Sequence, residues 1–103
     1  MRIFQGSYQE FDSIFIENNH IKMTIIPEIG GKIASIIYKP QAFEILFQPS
    51  EPYRMPIYGD SFEKYDTSGI DEMFPNIDIS DYPYGISNMV TLKDHGELWS
   101  VPW

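Results

Sequence analysis

The sequence contains no cysteine, which excludes both a disulfide framework and a thiolate metal site. Bases are scarce: 7 lysines and arginines face 15 acids, for a net charge of −8. A field of that sign repels phosphate backbones and anionic lipid, so neither nucleic acid nor a membrane is an expected partner. No apolar run approaches the roughly 20 residues of a spanning helix. The opening Met1–Asp12 stretch has no basic segment leading into a long apolar one. With no signal peptide visible, a cytoplasmic location is the expectation. His20 and His95 lack the spacing of a paired-histidine zinc motif, so no metal is expected. Helical periodicity sustained over three turns is absent too, as are internal repeats and low-complexity segments.

What the chain does have is strand-forming material. At 103 residues it is one domain or a piece of one, and a 43% hydrophobic, 16% aromatic composition suits a packed core. Ser13–Glu17 and Ile21–Ile26 alternate in β-branched and aromatic residues around Asn18-Asn19-His20. Asparagine tolerates positive φ, so the three residues read as a tight hairpin turn. Pro27 stops the second strand, because proline cannot donate to a ladder. Gly30-Gly31 then permits a bulge or a close backbone approach. Lys32–Tyr38 and Phe43–Phe47 read as further strands, stopped by Pro40 and Pro49, and Ser87–Leu92 as a late one.

Between Pro49 and Gly69 the pattern dissolves into prolines and glycines interspersed with Tyr53, Tyr58, Phe62 and Tyr65. Long irregular segments in compact domains tend to be functional or disordered, and these aromatics argue for order, packed over something. A short helix near Asp60–Asp66 is compatible with the pattern. The class is all-β, with antiparallel strands and a long irregular loop.

Leu98, Trp99, Val101 and Trp103 put heavy apolar weight on the last six residues. Chain ends are ordinarily polar and frayed. Together with unpaired sheet edges, this leads us to expect a truncated segment of a longer protein, associating with itself or with the missing part. The alternative is that Trp99 and Trp103 fold back onto the chain's own sheet.

Candidate chemistry concentrates in two places. In Lys93-Asp94-His95-Gly96-Glu97, Gly96 permits close approach, and Asp94 or Glu97 can orient the His95 imidazole. Imidazole near neutrality suits acid–base work on a hydroxyl or ring oxygen. The plainer reading is a surface turn histidine with acidic neighbours. Asp71-Glu72 and Asp78 flank Phe74-Pro75, where the residue before proline is pushed away from helix. Paired carboxylates accept sugar hydroxyls, bind a cation, or act as acid and base; a solvated acidic loop is the competing account. Trp99, Trp103, Tyr82 and Tyr84 offer either flat faces for a sugar ring or core packing.

Taken in order, the motifs resemble a known family. Ile26-Pro27-Glu28-Ile29-Gly30-Gly31-Lys32-Ile33-Ala34-Ser35-Ile36 resembles the P-x-x-G-G-x-I-x-S-L element of aldose 1-epimerase-like proteins. Gly69-Ile70-Asp71-Glu72-Met73-Phe74-Pro75 is similar to the G-x-D-E-M/C-F-P element of one branch, and Asp94-His95-Gly96-Glu97-Leu98-Trp99 to its D-H-G-E-x-W motif. The latter is similar in place to the H-G-G…W motif of galactose mutarotases. The resemblance implies a partial β-supersandwich of the galactose mutarotase-like type, with this chain as the N-terminal segment of a sugar-binding domain.

The implied reaction interconverts sugar anomers through the open chain. A base takes the anomeric hydroxyl proton while an acid protonates the ring oxygen, with no cofactor and no metal. His95 would be the catalytic, substrate-contacting histidine, with Asp71, Glu72, Asp94 and Trp99 as substrate-binding residues. The family's second histidine and catalytic glutamate would lie past Trp103, so the expectation for this chain alone is a small-molecule sugar partner and no significant activity. Two other classes stay open: a non-catalytic carbohydrate-binding or regulatory module, and a structural sandwich piece assembling through open sheet edges.

Overall fold

Seven strands, all antiparallel in their pairing, make up a computed structural model that describes residues 1–65, 68–81 and 91–103. The strands are β1 Arg2–Tyr8, β2 Phe11–Glu17, β3 Ile21–Ile26, β4 Lys32–Tyr38, β5 Phe43–Glu44, β6 Ser80–Asp81 and β7 Thr91–Leu92. The first five form one sheet in sequence order and the last two a separate ribbon. The only helical elements among the described residues are single 3₁₀ turns, one of them at Phe62–Lys64 where a short helix was compatible with the sequence. The all-β reading holds.

β1 escaped the sequence reading, and its residues show why. Arg2, Gln5 and Ser7 are polar, Gly6 interrupts the run, and the turn into β2 is made by Gln9 and Glu10 at φ 50° and 70°. Neither is a customary positive-φ residue, so no turn signal marks the hairpin. The β2–β3 turn is where the sequence placed it, but its cause differs. Asn18 keeps negative φ, and its Oδ1 accepts the amides of His20 and Ile21, each at 2.8 Å; such Asx bonding stabilises turns directly. The expected Phe43–Phe47 strand shortens to Phe43–Glu44. The Glu44 carboxylate takes the amides of Ile36 and Leu46 at 2.9 and 3.0 Å, consuming donors that a longer ladder would use. Most of the late strand lies outside the described residues, as do Tyr82 and Tyr84; its last two residues form β7.

Register sorts the sheet into two unlike faces. Arg2, Glu17, Lys22, Ile37 and Glu44 form one row, and Ile3, Ile16, Met23 and Ile36 the adjacent row. Because side chains alternate, the two rows point to opposite sides. Every buried strand residue on β2 and β3 (Ser13, Phe15, Thr24, Ile26) belongs to the side of the first row. The segment after β5 crosses that side: Tyr8 donates to Gln48 at 2.9 Å, Gln48 to the Ala34 carbonyl at 3.1 Å, and the Tyr53 amide to Gln9 at 3.0 Å. Ile26, Ile29, Ala34 and Tyr53 form the core beneath it.

A register shift at Thr24/Ile25 bends β3 and β4 just before the Gly30-Gly31 turn, as bulges do. That turn receives the end of the chain. A Cβ on Gly30 would fall within the backbone of Leu98 and Trp99, and one on Gly31 within the Trp103 ring. Both glycines have positive φ, 59° and 66°. The close approach expected of this pair is therefore real, and its partner is the chain itself. The Trp103 amide also donates to the Pro27 carbonyl at 2.9 Å. Trp99 is 2% exposed; Trp103 remains 59% exposed.

Candidate functional site

Three stretches that sequence order keeps apart meet at one end of the sheet. Gly69–Asp71 docks on the start of β4, where Ile33 and Ile70 exchange both backbone bonds at 3.0 Å. Phe74 bridges to Gly96, and its carbonyl accepts the Glu97 amide at 2.7 Å. The Phe74–Pro75 peptide is cis. Gly96 sits at φ 75° with no room for a Cβ against the Phe74 backbone. The close approach that Gly96 allows is thus made by Phe74.

This docking fixes His95. Its backbone is held at φ 57°, and its amide donates to Ile77 at 2.7 Å. The imidazole lies flat on Phe62, 4.1 Å between ring centres and 10° between planes. Nδ1 is 2.8 Å from Asp94 Oδ1. Asp94 Oδ2 accepts the Phe62 amide at 2.7 Å, and this bond, followed by the one with His95, holds the Asp94 carboxyl below the ordinary aspartate value. An ionised carboxylate can only accept, so Nδ1 carries the proton and Nε2 the lone pair when the ring is neutral. Nε2 has no hydrogen-bond partner among the described residues, and the His95 side chain is 25% exposed.

Trp99 supports the unit from below. Its indole N–H donates to the Asp94 carbonyl at 3.0 Å, Phe62 meets its face edge-on at 5.2 Å, and Tyr65 lies 5.4 Å away. Beside the histidine, Tyr58 donates to Glu97 at 2.8 Å, a bond that raises the phenol above its ordinary value, and the Lys93 ammonium lies 4.8 Å from the Tyr58 ring.

Asp71 is placed deeper. It pairs with Lys32 at 2.7 Å, with side chains 7% and 2% exposed, and Lys32 also lies 5.4 Å over the Tyr53 ring. Asp71 and Trp99 line one slot with Tyr53, Phe62 and Tyr65; at about 10 Å³ it has room for a single water and none for a sugar ring. Glu72 is exposed and takes no part in the bonds that join these segments. The structure therefore gathers Asp94, His95 and Trp99 into one cluster and sets Asp71 beneath and Glu72 outside it. Sequence reasoning overlooked the roles of Phe62, Tyr58 and Lys32. The aromatic density between Pro49 and Gly69 was the available signal for the first two.

A family model for DUF5107, a domain of unknown function, matches residues 4–95. The chain belongs to this family. No curated protein and no solved structure matches it. The DUF5107 match spans the Gly30-Gly31 turn, the Gly69–Pro75 element and the Asp94–His95 pair, which are the three segments that interlock here. Among the described residues of this DUF5107 chain, no cluster of three metal-binding side chains occurs and no helix is long and apolar enough to cross a membrane.

Proposed function

We propose that this DUF5107 chain is a carbohydrate-binding, aldose 1-epimerase-like segment whose Asp94–His95 pair supplies one half of an acid–base couple. The observation that carries this reading is the 2.8 Å contact from Asp94 to His95 Nδ1 on a ring stacked against Phe62. A carboxylate that fixes the tautomer, and a platform that fixes the plane, leave Nε2 as an oriented proton carrier at a partly exposed edge. Proton exchange at Nε2 suits the anomeric hydroxyl or ring oxygen of a free sugar, and the reaction draws on no cofactor. Asp94 and Trp99 act from behind the imidazole, and Glu72 and Glu97 offer carboxylates to sugar hydroxyls. Asp71 acts through its bond to Lys32, which seats the Gly69–Pro75 element. Anomer interconversion needs a second group on the opposite side of the ring oxygen. The Asp94–His95 pair by itself therefore supports sugar binding with negligible activity.

The experiment is a screen of hexoses and pentoses by thermal shift, with wild type and His95→Ala side by side, followed by polarimetry on freshly dissolved α-glucose and α-galactose. The expected result is a sugar-dependent rise in melting temperature for the wild type, lost in His95→Ala, with mutarotation at the buffer rate. A wild type that no sugar stabilises overturns the carbohydrate reading. Mutarotation well above the buffer rate and abolished by His95→Ala overturns the half-couple.

A further inference from the structure

Two aromatic residues from the segment between Tyr53 and Tyr65 grip the turn that carries His95. Phe62 lies under the imidazole, and Tyr58 spans the two ends of the turn. That turn is closed by the Gly96 amide, which donates to the Lys93 carbonyl at 3.0 Å. The Tyr58 ring lies 4.8 Å from the Lys93 ammonium, and its hydroxyl donates to Glu97 Oε1 at 2.8 Å. The backbone around Tyr58 is fixed as well. The Asp60 amide donates to the Ile57 carbonyl at 3.0 Å, and the Ile57 amide to the Tyr65 hydroxyl at 3.0 Å. Gly59, at φ 76°, has no Cβ where the Lys93 stem packs. Yet Tyr58 remains 51% exposed. Folding ordinarily buries a large aromatic ring; here one is pinned on several sides and left half in solvent.

We infer that Tyr58 holds a pyranose against His95, its ring stacking on a C–H face of the sugar while Glu97 takes a hydroxyl at the rim. This role rests on the carbohydrate reading of His95, and it names the feature of the ligand that is selected. A pyranose carries hydroxyls around its rim and C–H bonds over its faces. Tyrosine answers both with an apolar body and a polar tip. The phenol occupies only Oε1 of Glu97; Oε2 accepts no hydrogen bond among the described residues and is left, in a set position, for a sugar hydroxyl. The bond to Glu97 raises the phenol above its ordinary value, so the hydroxyl stays a donor and keeps the carboxylate in place through the neutral range. Contacts that are already ordered cost little more ordering when a ligand arrives. A neutral sugar is also indifferent to the net charge of −8. An open-chain polyol has the hydroxyls without the ring face, and Tyr58 discriminates against it.

Titration calorimetry of the whole chain with D-glucose, D-galactose, D-xylose and the open-chain sorbitol tests this, with His95→Ala and the Tyr58 variants alongside. The wild type is expected to bind a pyranose and to ignore sorbitol. Tyr58→Ala weakens pyranose binding by about 10-fold or more, because it removes both the stacked face and the group that orients Glu97. Tyr58→Phe keeps the face and loses only the hydrogen bond, for a loss of about 5-fold. Tyr58→Leu keeps the bulk without a flat ring and binds as weakly as Tyr58→Ala; it gives the same reading if the alanine variant fails to fold. A merely structural role would move the urea midpoint and leave the preference for ring over open chain untouched. Pyranose binding that is lost in His95→Ala but unchanged in the Tyr58 variants overturns the role of Tyr58 and leaves the carbohydrate reading standing. Sorbitol bound as tightly as a pyranose overturns the stacked face. A wild type that binds none of the three pyranoses overturns the carbohydrate reading and this role with it.

Discussion

The Asp94 carboxylate accepts the Phe62 amide at 2.7 Å across 32 positions of sequence. That single bond ties the residue orienting His95 to the residue on which His95 lies. Tautomer and ring plane are therefore set by one unit, and disturbing either end disturbs both.

Asp94→Asn is the direct probe of that unit. The folded carboxyl sits below its ordinary value, chiefly through the Phe62 amide. Its contribution is complete above the ordinary aspartate range and fades as pH falls through the folded value. Wild type is expected to be more stable than Asp94→Asn by about 1 kcal/mol at neutral pH. The two should converge in acid. Thermal melts along a pH series read the gap, and one that persists in strong acid would rule out carboxylate charge as its source.

Trp99 is the largest of the fully buried side chains. Trp99→Ala should lower stability by about 3–5 kcal/mol in urea unfolding, with Trp99→Phe retaining part of it. A loss below about 1 kcal/mol would mean that Phe62 and Tyr65 do not rest on the indole.

The Lys32–Asp71 pair makes a prediction with two signs. Removing only the carboxylate, in Asp71→Ala, should cost about 3–5 kcal/mol because the ammonium stays buried. Replacing both residues, as Lys32→Met with Asp71→Leu, should be close to neutral. Equal losses in single and double variants would contradict the coupling; urea titration distinguishes the outcomes.

Gly96→Ala places a methyl group against the Phe74 backbone at φ 75°. Destabilisation beyond about 1 kcal/mol is expected. The contact between the rings of His95 and Phe62 should loosen with it, visible as lost nuclear Overhauser effects between them. A variant that keeps these effects would show that the turn can shift without moving the imidazole.

Much of this was legible in the sequence where one residue type has one physical use. Pro27 ended β3, and Gly30-Gly31 announced a close approach. The aromatic run from Tyr53 to Tyr65 announced packing, and Trp99 proved to be part of what it packs on. Less legible were features in which a residue does something its type seldom does. Gln9 and Glu10 turn the chain at positive φ, so β1 went unread. Lys32, nominally a surface residue, is 2% exposed. The Asp94–His95 contact was anticipated because the two are adjacent in sequence; the Phe62 platform was not, because it comes from 33 residues upstream of His95.

The buried lysine also has a consequence in time. β1 to β4 pair with their sequence neighbours, so the sheet can form as soon as residues 2–38 exist. Lys32 belongs to that first piece, yet its carboxylate partner is made 39 residues later. Gly30 waits longer still, for Leu98 and Trp99. During synthesis the end of the sheet that will carry the histidine is open and charged, and it closes only as Leu98–Trp103 arrive.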